Sequence, residues 1–270
     1  MNLLGQSFNM EIELGISFNM EIELGIDILT MLFAVATLAG FIDSIAGGGG
    51  LLTIPALLSA GLPPTIALGT NKLQACGGSF SASLYFVSKK AVNIKQITLS
   101  ILLTFIGASA GTIFVQIIDI NALKAILPFL ILIIGFYCLL SPNIDNEDRK
   151  PRISLPLFAF SAAIGIGFYD GVFGPATGSF FTLAFILLLG FNLSKAVAHA
   201  KVLNFTSNVA SLIFFILGNA VMWKIGFLMM VGQFIGGTLG ARMVVTKGKK
   251  LIRPMLVSIS FIMVAKMLYE

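Results

Sequence analysis

Four charged side chains stand in stretches that are otherwise oily: Asp43 in "GFIDSIAGGGG", Lys72 in "LGTNKLQ", Asp170 in "GFYDGVFGPATG" and Lys201 in "VAHAKVL". An ammonium group inside hydrocarbon is costly unless it is paired, hydrated or lining a path. Lys72 follows Thr65 by roughly 10 Å along a helix, at 1.5 Å per residue, which is deep for a surface charge. Two chemistries are open to Lys72 and Lys201: binding of an anion, or burial as ion pairs with Asp43 or Asp170. Snorkelling of the lysine stems to an interface is a third.

Gly47, Gly48, Gly49 and Gly50 run directly into "LLTIPALL", and "GPATG", with Gly174, Thr177 and Gly178, runs into "SFFTLAFILLLG". A glycine turn feeding a helix start presents unpaired N–H groups and the positive end of the helix dipole, a setting that suits an anion. The same glycines also permit tight turns and close packing. No "GK[ST]" follows, so the turn is not a nucleotide-binding P-loop. Polar groups gather near both lysines: Thr70, Asn71, Gln74, Ser79, Ser81 and Ser83 in one stretch, and Asn204, Thr206, Ser207, Asn208 and Ser211 in the other. A lipid-facing helix would not carry so many, although Ser and Thr also bond their own helix backbone. His199 stands where the first stretch has Thr70; it is either a switch that titrates near neutral pH or a hydrogen-bonded packing residue. Asp43, Asp170 and His199 are the candidates for proton coupling or ion pairing.

The elements that must position these groups are membrane helices. Of the 270 residues 57% are hydrophobic and 11% charged, and the mean hydropathy is +0.99, too apolar to wrap one soluble core. Apolar runs recur at 28–46, 99–118, 122–140, 155–169, 179–189, 202–217, 225–245 and 255–268. They are continuous, not alternating, which excludes a barrel and predicts polytopic α-helical structure. The net charge of +5 sits in short loops beside the spans, where topology explains it better than nucleic-acid binding does. The start of the chain carries Glu11, Glu13, Glu21, Glu23 and Asp27 and no basic n-region, so a retained first span is expected, not a signal peptide. Cys76 and Cys138 fall in spans and form neither a disulfide framework nor a metal spacing; no metal or cofactor is expected.

Two repeats organise the chain. "SFNMEIELGI" occurs at 7–16 and again at 17–26, giving an acidic extramembrane leader over 1–26. A displacement of 129 residues superposes Gly61 on Gly190, Lys72 on Lys201, "FIG" at 105–107 on "FIG" at 234–236, and Gly111 on Gly240. "GFID" joins "GFYD" once two extra residues are allowed in the second copy. The chain therefore divides into a first transmembrane repeat at 27–140, a cytoplasmic linker at 141–152 and a second repeat at 153–270. Lys89, Lys90 and Lys95 flank a loop whose second-half equivalent holds only Lys224, whereas Arg242, Lys247, Lys249, Lys250 and Arg253 enrich a loop that is poor in the first half. Equivalent loops thus lie on opposite sides if Lys and Arg mark the cytoplasm. The expected fold is an all-α polytopic membrane protein of two inverted-topology repeats. Each has about five segments, in the first half 27–46, 50–61, 65–88, 96–118 and 121–140. The second segments are short, and if they do not cross, the inverted count fails.

"FIDSIAGGGGLLTIPALLSAGLPPTIALGTNKLQ", "YDGVFGPATGSFF" and "AHAKVLNFTSN" resemble the TauE/SafE sulfite exporter family of bacterial inner-membrane permeases, and the similarity extends from about 28 to 268. The resemblance implies transport of sulfur-containing anions such as sulfite, sulfoacetate or other organosulfonates, often outward. Joined to the residues, the reading is a secondary transporter of the bacterial inner membrane. Its glycine turns, Lys72 and Lys201 bind a small anion during alternating access, with protons as coupling ion. The rivals are a permease or channel for another small anion such as a carboxylate, and an intramembrane thiol-redox enzyme. The thiols do not follow the repeat: Cys76 and Cys138 align with Phe205 and Met267. Lipid and a small anion are the expected partners.

Overall fold

The computed structural model describes residues 25–118 and 148–247. The duplicated leader up to 24, the fifth segment at 121–140 with Cys138, the linker up to 147 and the run at 255–268 lie outside the described residues.

Every element described is helical. The first half contributes α1 (Ile26–Ala46), α2 (Gly50–Ser59), α3 (Pro64–Ser88) and, after a 3-10 turn at Ile94–Ile97, α4 (Thr98–Ile117). The second contributes α5 (Leu155–Val172, with a π turn at Ala159–Ala163), α6 (Thr177–Leu189), α7 (Leu193–Leu217) and α8 (Trp223–Lys247). Local chemistry sets the boundaries. Pro64 opens α3, where its missing N–H costs nothing. Asn192 opens α7 by accepting the Lys195 N–H. Displacement by 129 carries Pro64–Ser88 onto Leu193–Leu217 end for end. It also carries the left-handed residues Gly61 and Lys90 onto Gly190 and Asn219.

Close glycine approaches fix the helix directions. Gly232, Gly236 and Gly240 of α8 abut the Phe33, Thr37 and Phe41 carbonyls of α1 in rising order, and Gly107 and Gly111 of α4 abut the Ile164 and Phe168 carbonyls of α5. A Cβ at any of these glycines would collide with a neighbour, so the sequence permits contact of bare backbones. Leu73, Gly77, Gly78 and Ser81 of α3 meet Gly226, Met230, Gln233 and Gly237 of α8 in the same order. Thus α1, α3 and α8 run parallel. By contrast, Gly69 near the start of α3 lies on Phe215 near the end of α7, and Ser79 faces Asn208 mid-way, so α3 and α7 are antiparallel.

One expectation changes here. Because α1 and α3 run the same way, α2 returns toward the side from which α1 came. At ten residues it spans roughly 15 Å against a hydrocarbon core of about 30 Å. Whether the α1–α2 pair crosses twice or dips and returns, it leaves the net number of crossings odd or even as before. A short second segment therefore does not defeat an inverted count.

Candidate functional site

The two glycine turns meet at the centre of the molecule. A Cβ on Gly47 would strike Gly178 and the Ser179 nitrogen, and Ser179 Oγ contacts the Ala46 and Gly47 carbonyl oxygens at 2.7 and 3.0 Å. Gly47 has φ +73° and Gly174 φ +91°, so both turns use backbone that a side chain would strain. Beside this junction lies a cavity of ≈ 20 Å³, room for about one water. Its walls are almost wholly polar or bare backbone: Asp43, Gly48, Gly49 and Gly50 from the first turn, Gly174, Ala176, Thr177 and Gly178 from the second, Asn71 and Ala75 from α3, Asn204 and Asn208 from α7, and Gln233 from α8. The N–H groups of Gly50 and Gly178 donate to no oxygen among the described residues.

The lysines flank this cavity, and each takes the carboxylate of the other half. Lys201 Nζ donates to Asp43 Oδ2 at 2.8 Å, and Lys72 Nζ meets Asp170 Oδ1 at 2.9 Å. Of the two chemistries open to the lysines, the structure therefore contains the ion pairs. Both lysines and Asp170 are buried at 1% exposure, and Asp43 reaches 14% on the cavity side. Two buried ammonium groups are tolerable only with such partners. The pairs differ in detail. Asp43 Oδ1 also accepts the Gly48 and Gly49 N–H groups, at 3.0 and 3.2 Å, so the turn that leads into α2 is held by an internal carboxylate. Lys72 additionally donates to the Asp170 carbonyl at 2.5 Å, where the C-terminal end of α5 favours positive charge.

Several candidates lie away from the cavity. Thr70 Oγ1 accepts the Met222 N–H at 3.0 Å and so fastens the start of α8. Gln74 Nε2 donates to Asn71 Oδ1 at 2.8 Å, and Thr53 Oγ1 donates to the same oxygen at 2.6 Å; this orients Asn71, which does line the cavity. His199 hydrogen-bonds the Lys195 carbonyl through Nδ1 at 2.7 Å, and its ring packs against Phe185 and Phe191. It is turned from the cavity into an aromatic cluster. Cys76 lies one helical turn beyond Lys72 and lines a separate apolar cavity of ≈ 460 Å³ with Phe80, Phe205, Met230 and Phe234. No second thiol stands beside it among the described residues.

Gln233 is a cavity residue that the reading of the sequence did not single out. Its signal was available: a lone amide in the apolar run "FLMMVGQFIGG", aligned with Thr104 in the first half. Buried at 2% exposure, it faces Gly78 and Gly40, whose missing side chains make room for it.

Comparison with known proteins gives the family. The family profile described as "Sulfite exporter TauE/SafE" matches residues 32–267. A "Probable membrane transporter protein" of Haemophilus influenzae is 57% identical over 244 residues, covering 90% of this chain and 96% of that protein. The "Probable membrane transporter protein YfcA" of Escherichia coli K12 is 56% identical over 243 residues, 90% of each chain. A more distant "Probable membrane transporter protein YunE" of Bacillus subtilis is 24% identical over 240 residues, 78% of this chain and 86% of that one. No solved structure matches. With five described helices long and apolar enough to cross a bilayer, this multi-pass inner-membrane protein belongs to the TauE/SafE family of membrane transporters.

Proposed function

We propose that this protein is a secondary active transporter that moves small sulfur-containing anions, sulfite or organosulfonates such as sulfoacetate, outward by alternating access, with protons as coupling ion. The observation that carries the reading is the cavity where two helix starts meet between crossed Lys–Asp pairs. It offers free N–H groups, four neutral side-chain donors (Asn71, Asn204, Asn208 and Gln233) and two positive helix ends to an anion. Lys72 and Lys201, one behind each turn, supply the charge that a sulfite or sulfonate needs once it displaces a carboxylate. At ≈ 20 Å³ the cavity is closed around about one water, so substrate enters only when the helix tips part.

Inverted repeats are part of this proposal. Helices α3 and α7 are equivalent in the two halves and antiparallel, and Ser79 and Asn208, equivalent positions, touch each other at 3.5 Å. A two-fold axis through that contact runs across the helices, hence in the membrane plane if they span it. Loop charges agree: Lys89, Lys90, Lys95, Arg149, Lys150, Arg152 and Lys195 gather at the end of the molecule where α3 finishes and α7 starts, against Lys224 and Asp27 at the other. By the positive-inside rule the basic end is cytoplasmic, and so is the linker at 141–152 between the repeats 27–140 and 153–270.

The test is uptake and counterflow in proteoliposomes with sulfite, sulfoacetate, sulfate and acetate. Saturable movement of the sulfur anions is expected. Movement of acetate alone would shift the reading to a carboxylate carrier, and conductance without saturation would shift it to a channel.

A further inference from the structure

Residues 148–153 lie across the far end of α6 as a strap. The last turn of a helix leaves carbonyl oxygens without intrahelical donors, and the strap supplies them. The Arg149 N–H donates to the Gly190 carbonyl at 2.6 Å, and the Arg152 and Ile153 N–H groups donate to the Leu188 carbonyl at 2.8 and 3.3 Å. Gly190 has φ +70°, and a Cβ there would collide with the Arg149 carbonyl oxygen, so the crossing needs a residue without a side chain. Asp148 closes the strap: its carboxylate accepts the Asn192 backbone and amide N–H groups and the Lys195 ammonium, which fastens it to the start of α7 as well. Ile153 and Leu155 then pack against the hydrophobic cluster that contains Phe185 and Leu189 of α6.

Among the described residues nothing equivalent holds α2. The displacement of 129 carries Gly190 back onto Gly61, where a Cβ would meet nothing within 4 Å. It carries Asn192 and Lys195 onto Pro63 and Ile66, whose side chains have no donor for a carboxylate. The two short helices whose starts meet at the cavity are therefore held unequally at their other ends. From Thr177 at the cavity to Leu189 under the strap, α6 runs about 20 Å, and its Gly178 and Ser179 form one side of the junction with Gly47. Tipping α6 draws Gly178 off Gly47 and pulls the last turn against the strap.

We infer that residues 148–153 are a latch on α6: the junction opens toward the end of the molecule where α7 starts, cytoplasmic in the proposed topology, only after the strap lets go of Leu188 and Gly190. The inference rests on the anion-transport reading for what that opening admits. The link between strap and cavity rests on the contacts alone, with α6 as the rigid piece between them. The two gates of the carrier are then unequal, α6 restrained by the linker and α2 free of any such restraint among the described residues.

Hydrogen exchange of the full chain in lipid, read by mass spectrometry over 178–184 at the cavity end of α6 and over 50–56 at that of α2, tests the latch. D148N is expected to speed exchange over 178–184 about twofold, as the loss of a partly exposed clasp. R152P, which removes the N–H bonded to Leu188, should speed it about fivefold. Exchange over 50–56 should stay as in the wild type, and K150Q, which removes a charge and no strap bond, should change neither region. Acceleration confined to 186–195 would make the strap a local cap and overturn the latch. Equal acceleration over 50–56, the same effect from K150Q, or no change in D148N and R152P would overturn it too. If R152P does not fold, D148N decides alone by the same readings. The measurement needs no substrate, so a failure of anion movement in liposomes would sink the transport reading and leave this result standing.

Discussion

Lys72 and Asp170, 98 positions apart in the chain, meet at 2.9 Å with each side chain 1% exposed, and the pair joins α3 of one half to α5 of the other. Breaking a buried pair by removing one member strands the other charge, at a cost of about 3–5 kcal/mol. Lys72→Met is therefore expected to lower the melting temperature sharply at neutral pH, and Lys72→Met with Asp170→Asn to recover most of the loss. A double-mutant cycle read by thermal melting in detergent checks this; purely additive effects would show that the pair is not coupled.

Lys201 should behave differently, because Asp43 keeps two backbone donors when the ammonium is gone. Lys201→Met is expected to destabilise less than Lys72→Met while still abolishing saturable anion uptake. Melting and transport measured on the same preparations separate the two effects.

Gly47 carries φ +73° and sits against Gly178, whereas Gly165, in the middle of α5, has nothing within 4 Å of where a Cβ would be. Gly47→Ala should reduce stability and close the helix junction to substrate. Gly165→Ala should be neutral or stabilise by up to about 1 kcal/mol through helix propensity. Equal melting temperatures for the two variants would contradict the role given to the turn.

The amide of Gln233 lines the cavity and makes no hydrogen bond to the protein among the described residues. Gln233→Leu is expected to raise the KM for the transported anion about tenfold, the loss of one charge-assisted hydrogen bond. Its melting temperature should stay near that of the wild type. An unchanged KM would remove Gln233 from the substrate path.

At the cytoplasmic end of the proposed topology, Asp148 binds the Lys195 ammonium at 2.8 Å and the Asn192 backbone and amide N–H groups at 2.8 and 2.9 Å. The hydrogen bond from Lys195, then that from the Asn192 backbone, holds its carboxyl below the usual range. A depressed carboxyl contributes stability above its unfolded pKa and loses it as pH falls through the folded one. The site is exposed and screened, so the contribution is a fraction of a kcal/mol. Asp148→Asn should melt slightly earlier than wild type at neutral pH and together with it in acid, with the difference shrinking in high salt.

Much of this was legible because the repeat made the chain its own alignment. The expected segments 27–46 and 65–88 differ by a residue from α1 and α3, and the displacement that matched Lys72 to Lys201 also matches the left-handed residues Gly61 and Lys90 to Gly190 and Asn219. What stayed hidden was orientation in space. Nothing in the spacing says that each lysine takes the other half's aspartate, or that Asp43 folds back onto Gly48 and Gly49. His199 and Thr70 share an alignment column yet face an aromatic cluster and the start of α8, since partners from distant helices decide where a side chain points. Gln233 escaped notice because a single amide in a long apolar run resembles packing until the neighbouring glycines are seen.

The contact of bare backbones between α1 and α8, and between α4 and α5, has a consequence for evolution and engineering. Each half lends its first helix to the other half's last described one, so if the halves are the repeats proposed above, the repeat unit and the packed unit are different objects: each packed pair contains helices from both copies. Cutting the chain between the copies would then leave two interlocked polypeptides, and neither copy expressed alone would find cover for its glycine-ridged face.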